Sequence, residues 1–222
     1  WLGTDRLGRD LLARTIWGAR VSLVVGFVAV ACGLVVGGAI GMLAGYYRGF
    51  FDRFVMRVVD ILLAFPAIVL GLALVTFLGR EFQNLLIAIA VLSIAPIARL
   101  ARANTLQWAQ RDFVLAAKGL GAKSRRILLR EVFPNVLLPM AALALLGVAI
   151  AIIAEGTLAF LGLSVEDPTS TWGKMIFAGK GELETAPQSA FVPAAAMFLT
   201  VLALNYAGDR LRQFVDVREG SL

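Results

Sequence analysis

The sequence predicts an all-α membrane protein, a polytopic helical bundle with five transmembrane helices in this chain. Three observations carry that expectation. Of 222 residues, 59% are hydrophobic and 16% are charged, with a mean hydropathy of +0.83. A soluble domain holds roughly 45–50% apolar and about 25% charged residues. Five runs carry no charge at all: Val21–Tyr47, Ile61–Gly79, Phe82–Ala98, Val132–Ala154 and Thr185–Gly208. Each is near the roughly 20 residues needed to cross a hydrocarbon core, the shortest reaching it with Leu100 and Ala101 beyond Arg99. Finally, the basic residues alternate between the intervening segments.

Arg48, Arg53 and Arg57 lie in 46–60, Arg80 alone in the next loop, and eight Lys and Arg between Arg99 and Pro134. Lys174 and Lys180 follow, then Arg210, Arg212 and Arg218 in the tail. The positive-inside rule puts 46–60, the central loop and the C-terminus in the cytoplasm. Residues 1–20 are then expected outside, although they carry Arg6, Arg9, Arg14 and Arg20, offset in part by Asp5 and Asp10. An inferred sixth span before Trp1 accounts for their export. The net charge of +6 thus reflects topology and anionic lipid, and no aromatic-lined basic face suggests nucleic acid.

Composition also excludes chemistry. The absence of histidine rules out His-based triads and His-ligated metals in this chain. A single cysteine, Cys32 in an apolar run, rules out an intrachain disulfide and reads as an inert thiol.

The first span carries small residues at every fourth position, Ala29, Gly33, Gly37, Gly41 and Gly45, a stripe on which another backbone can approach closely. It packs either on a helix of the same chain or on a partner surface that slides during gating. Pro66 predicts a kink in the second span near Leu62–Pro66, and Asp60 stands at an i, i+3 spacing from Arg57 for an interfacial ion pair. Glu155, after 23 uncharged residues, is expected to face water, a pore or a cationic partner. Its role is either a structural boundary or part of a translocation pathway.

The central loop is too apolar for disorder. Phe113, Val114 and Ala117 share a helical face that Gly119 and Gly121 end. Ser124 then caps a second short helix with Ile127, Leu128 and Glu131, running to Pro134. Such amphipathic helices lie on lipid or dock into a protein groove. The segment Gly119–Ser124 lacks the spacing of a phosphate-binding loop, because Ala122 precedes Lys123 and no strand leads in.

At these residues the chain resembles the membrane permease subunit of a bacterial ATP-binding cassette importer. That family has a loop motif of Glu-Ala-Ala, three residues, Gly, nine residues, Ile, one residue and Leu-Pro. Ala116, Ala117, Gly121 and Pro134 match it, while Leu115, Glu131 and Phe133 depart from it. Leu2–Arg14, Gly18–Leu23, Glu155–Leu163, Ser170–Met175 and Leu204–Arg212 are similar to the second permease of dipeptide, oligopeptide and nickel importers.

The resemblance implies a type I importer permease fold in the bacterial inner membrane. Residues 1–20 would be external, 21–222 the transmembrane domain, and 106–134 a cytoplasmic loop coupling it to ATPases. It implies half of a translocation pathway for di- or oligopeptides, shared with a homologous second permease. Two separate ATPase subunits would hold ATP and Mg, an external binding protein would deliver substrate, and this chain would hold no catalytic site. Phe113, Val114, Ala116, Ala117, Gly121 and Pro134 are the expected coupling residues, Gly33, Gly37, Gly41 and Gly45 the packing residues, and Pro66, Glu155 and Asn205 the pathway or gating candidates. A permease for nickel or another small solute, or a secondary transporter, is the alternative reading.

Overall fold

The computed structural model describes residues 2–163, 165–166 and 168–219, with side chains as far as residue 213. Trp1 and the side chain of Arg218 lie outside that description. Among the described residues, α-helices follow one another in the order α1 (Leu11–Cys32), α2 (Gly38–Tyr47), α3 (Gly49–Ala64), α4 (Ala67–Leu78), α5 (Phe82–Trp108), α6 (Asp112–Gly119), α7 (Ser124–Ile127), α8 (Phe133–Phe160), α9 (Trp172–Gly179) and α10 (Gln188–Glu219). Wider π turns at Gly33–Gly37 and Leu128–Val132 join α1 to α2 and α7 to α8 without a break. Among the described residues, four runs are long and apolar enough to cross a membrane: Leu11–Tyr47, Phe82–Trp108, Ser124–Phe160 and Gln188–Gln213. The interrupted pair α3 and α4 makes a fifth if it counts as one span.

The chain divides into two compact units. One holds residues 1–30, 66–92 and 146–206. In it α1 begins ten residues before the charge-free run, where the Asp10 carboxylate accepts from the Ala13 N–H at 3.0 Å, a helix-starting arrangement. Gly26 packs against Val148 and Ile152 of α8, and Gly71 of α4 against Leu92 and Leu158. Helix α9, which has no counterpart among the expected elements, is capped by the Thr171 hydroxyl accepting from the Lys174 N–H at 3.1 Å. The Lys174 ammonium donates to the carbonyls of Val165 and Thr169, both at 3.0 Å.

The other unit holds residues 31–65, 93–145 and 207–222. Here the glycine ladder meets α5 of the same chain. A Cβ on Gly37 would lie 2.5 Å from the Ile94 carbonyl oxygen, one on Gly33 2.7 Å from Ile97 Cδ1, and one on Gly45 2.8 Å from the Arg102 carbonyl oxygen. One on Gly41 would collide with the Ala98 carbonyl. A spacing of four drifts about 40° per step on an ideal helix. The π turn, advancing less per residue, reduces that drift inside the ladder.

The predicted 46–60 loop is instead mostly helix α3. Arg48 and Gly49, both with positive φ (55° and 71°), turn the chain into it. Asp52 binds Arg102 through two parallel contacts, one of 2.7 Å, and Asp60 binds Arg99. Asp60 therefore pairs across to α5 rather than with Arg57. The two ion pairs also explain why α5 runs on to Trp108: the arginines that end its charge-free run are matched on a neighbouring helix. Val59 packs with Ala95 and Ala98 between them.

Pro66 breaks the second span instead of kinking it. Phe65 (φ −81°, ψ 137°) and Pro66 (φ −56°, ψ 126°) are both extended, as the steric bias on a residue before proline favours.

Candidate functional site

The second unit builds the central turn from its core outward. Trp108, Val114, Ile127, Leu128, Val132, Val136 and Met140 form one buried cluster with Met42 and Ala101. Helix α6 contributes Val114, with no exposed surface, while Ala117 and Ala122 pack partly buried on the same cluster. Above them the Arg111 guanidinium lies 5.2 Å from the Trp108 ring centre, and the Lys118 ammonium 5.7 Å from that of Tyr46.

Gly121 sets the exit of α6. Its φ is +81°, its N–H bonds the Lys118 carbonyl at 2.9 Å, and the Ala122 N–H bonds the Ala117 carbonyl at 3.0 Å. This pair of bonds is a Schellman cap, which places glycine at the left-handed position. The expected turn is present. Val114 and Ala117 face the chain's own core, and the Phe113 ring, 40% exposed, lies 6.2 Å from that of the core residue Trp108, while Leu115, Ala116 and Leu120 are exposed. Leu120 is 89% exposed. Arg111, Lys118, Lys123, Arg125 and Arg126, all exposed, flank it in sequence. Leu115 and Leu120 escape a periodicity argument because periodicity selects the buried stripe. The run of apolar side chains flanked by cations is their visible signal.

The second short helix does not stop at Pro134. It continues as Ser124–Phe160, and the cap position belongs to Lys123, with no side-chain hydrogen bond, so Ser124 is already helical. The π turn just before Pro134 opens the backbone, with the Phe133 N–H bonding the Leu128 carbonyl. The Asn135 side chain donates to the Glu131 carbonyl at 2.6 Å. These substitutions in the hydrogen-bond ladder are how a helix absorbs a proline.

In the first unit Glu155 is wholly buried. Its carboxylate is sealed from the surface, and no ion pair reaches it among the described residues. It accepts from the Ser22 hydroxyl at 3.1 Å, and the Thr171 side chain lies beside it. Ser22 Oγ in turn accepts from the Trp172 N–H at 3.3 Å, and the Trp172 indole donates to the Thr15 carbonyl at 3.0 Å. Gly173 meets Gly156 so closely that a Cβ there would lie 2.6 Å from its Cα. Glu155 thus fastens α9 to α1 and α8. The Ser22 hydroxyl offsets part of the cost of this burial, while Glu155 Oε1 has no hydrogen-bond partner among the described residues. Pro66 opens α4 and Asn205 lies half-buried on α10. Neither is a hydrogen-bond partner of Glu155 among the described residues.

The described residues thus form a many-span helical fold with a short, capped helix–turn element between two spans. Residues 37–220 match the family described as binding-protein-dependent transport system inner membrane component, and the chain belongs to that family. It is 40% identical over 216 residues to the glutathione transport system permease protein GsiD of Pectobacterium atrosepticum, covering 97% of this chain and 72% of that one. It is 41% identical to the dipeptide transport system permease protein DppC of Alkalihalophilus pseudofirmus, covering 97% and 71%. The fold matches a chain from an inward-facing structure of the MetNI methionine ABC transporter with a TM-score of 0.76 and 18% identity, covering 92% of this chain and 97% of that one. The chain is a multi-pass membrane permease component.

Proposed function

We propose that this chain forms half of the translocation pathway of an ATP-driven importer for short peptides, in the bacterial inner membrane, with its central turn and C-terminus cytoplasmic and residues 1–20 external. A homologous permease supplies the other half, two ATPase subunits hold ATP and Mg, and an external binding protein delivers the substrate. The chain itself carries no catalytic site. The likeness to glutathione and dipeptide permeases supports peptides as substrate.

One observation carries the coupling role. Helix α6 is anchored by Val114 and ended by the Gly121 cap, while it exposes Leu115, Ala116 and Leu120 among exposed cations that flank them in sequence. An apolar helix face with charged flanks suits a groove on a protein partner. Coupling then requires that nucleotide state and access state bias one another.

The test is cross-linking from Leu120→Cys in a Cys32→Ser background. Adducts with an ATPase subunit, changing in yield with ATP, are expected. Adducts with lipid-phase reagents alone would overturn the docking role while leaving the permease reading in place.

A further inference from the structure

Within the second unit, residues 31–42 and the first two turns of α8 enclose a groove of about 440 Å³ that the transport reading does not use. Every side chain that lines it is apolar. Ala31, Ala39 and Met42 stand on one side and Phe133 and Leu137 on the other. Gly38 closes its base, where an added Cβ would meet Met140 Cε at 3.4 Å. The groove opens sideways, because Ala31, Ala39, Phe133 and Leu137 are all exposed.

Its length matches one leaflet. The rise from Ala31 to Met42 is about 16 Å at 1.5 Å per residue, and half of a hydrocarbon core is about 15 Å. It starts near the middle of the charge-free run Val21–Tyr47 and ends one turn before Tyr46. A helix of that length, 10–12 Å across, fills roughly 1,300–1,800 Å³. The groove is too small to take one in, and a slender chain suits it better.

The end of the groove nearest the central turn is cationic. Tyr46, one turn beyond Met42, has the Lys118 ammonium 5.7 Å from its ring centre. On the other side Phe133, Leu129 and Arg125 follow at spacings of four, all exposed, which puts Arg125 on the same helix face as the groove wall. Neither Lys118 nor Arg125 has an ion pair among the described residues. From Arg111 to Glu131 the chain carries six cations against two carboxylates. Such a segment attracts the anionic headgroups of a cytoplasmic leaflet.

We infer that this groove holds one acyl chain of an anionic phospholipid of the cytoplasmic leaflet, with the headgroup on Lys118 and Arg125. The inference rests on the proposed cytoplasmic placement of the central turn. Lipid retention in detergent does not depend on that placement, so the site and the topology fail separately.

The full chain, purified in detergent, would be titrated with dioleoyl phosphatidylglycerol and with dioleoyl phosphatidylcholine and read by native mass spectrometry. Retention of phosphatidylglycerol at least about fivefold above phosphatidylcholine is expected. Lys118→Gln with Arg125→Gln should bring it down to the phosphatidylcholine level. Ala39→Phe, which fills the groove from an exposed position on α2, should reduce it severalfold at an unchanged melting temperature. In membranes, phosphatidylglycerol carrying a diazirine on its acyl chain should label residues 31–42 and 133–140. Equal retention of the two lipids, unchanged retention in Ala39→Phe, or labelling that misses both segments would overturn the site. In the last case, cross-linking of Ala39→Cys to another protein in a Cys32→Ser background would assign the groove to a partner helix instead.

Discussion

The Ser22 hydroxyl donates to the Glu155 carboxylate across 133 residues of sequence, and neither residue has any exposed surface. One hydroxyl thereby holds two elements, because the same Oγ accepts from the Trp172 N–H. Glu155→Ala should cost on the order of 2–4 kcal/mol, from the emptied space and the stranded donor. Glu155→Gln keeps an acceptor of the same shape and should cost far less. Melting curves of the two purified variants decide it: equal losses would mean that the hydrogen bond contributes nothing.

The glycine ladder separates two adjacent positions. A Cβ on Gly37 would sit 2.5 Å from a backbone oxygen of α5, whereas one on Gly38 would meet nothing nearer than Met140 Cε at 3.4 Å. Gly37→Ala should therefore lower the membrane level of folded protein severalfold, because backbone cannot yield as a flexible side chain can. Gly38→Ala should be tolerated and, by improved helix propensity, slightly favourable. Matching yields for the pair would contradict the close contact.

A methyl group added at Gly121 would meet no described atom of this chain within 4 Å, so within the chain the strain lies in the backbone alone. A β-branched side chain at φ +81° costs about 1–2 kcal/mol. Gly121→Val should leave insertion intact while reducing uptake and ATPase stimulation. Gly121→Asn, which tolerates the left-handed region, should restore most of both. Normal uptake in the valine variant would remove this turn from the coupling path.

Near the N-terminus, burial alone would raise the Asp5 pKa. The donors from Arg9, Arg14 and Leu7 outweigh it and lower the value to about 2 from 3.8. A depressed carboxylate pKa stabilises the folded state above the unfolded value and loses that contribution as pH falls through the folded one. Acidification from pH 7 to 5 should thus leave the 5–14 clasp closed, and opening should set in below about pH 4. Asp5→Asn should open it at pH 7. Hydrogen exchange at the Leu7 and Arg9 amides reads both, and protection that fades already between pH 7 and 5 in intrinsic-rate-corrected data would refute the clasp.

Hydropathy and charge made the spans legible because lipid imposes length and sidedness on sequence directly. Gly33 to Gly45 and Gly121 were legible for a related reason, since only glycine suits a close backbone approach or a left-handed cap. Long-range partners were not. Nothing local marks Asp60 for Arg99 rather than Arg57, or assigns Glu155 to a serine at position 22. Helix α9 was hidden because its eight residues are too few for periodicity to emerge, and its cap, Thr171, sits in an ordinary polar stretch. Pro66 and Pro134 show the limit from the other side: one proline breaks its helix and the other is absorbed, and the difference lies in the π turn and Asn135 beside the second.

The ladder contact also has a history within each molecule's synthesis. Residues 33–45 lie about 60 positions ahead of the α5 segment that covers them, so the first span enters the bilayer before its partner has been made. Until α5 arrives, bare glycine backbone faces lipid tails or whatever the insertion machinery offers. During that interval of translation the glycine face of α1 and α2 lacks the α5 backbone that covers it in the fold.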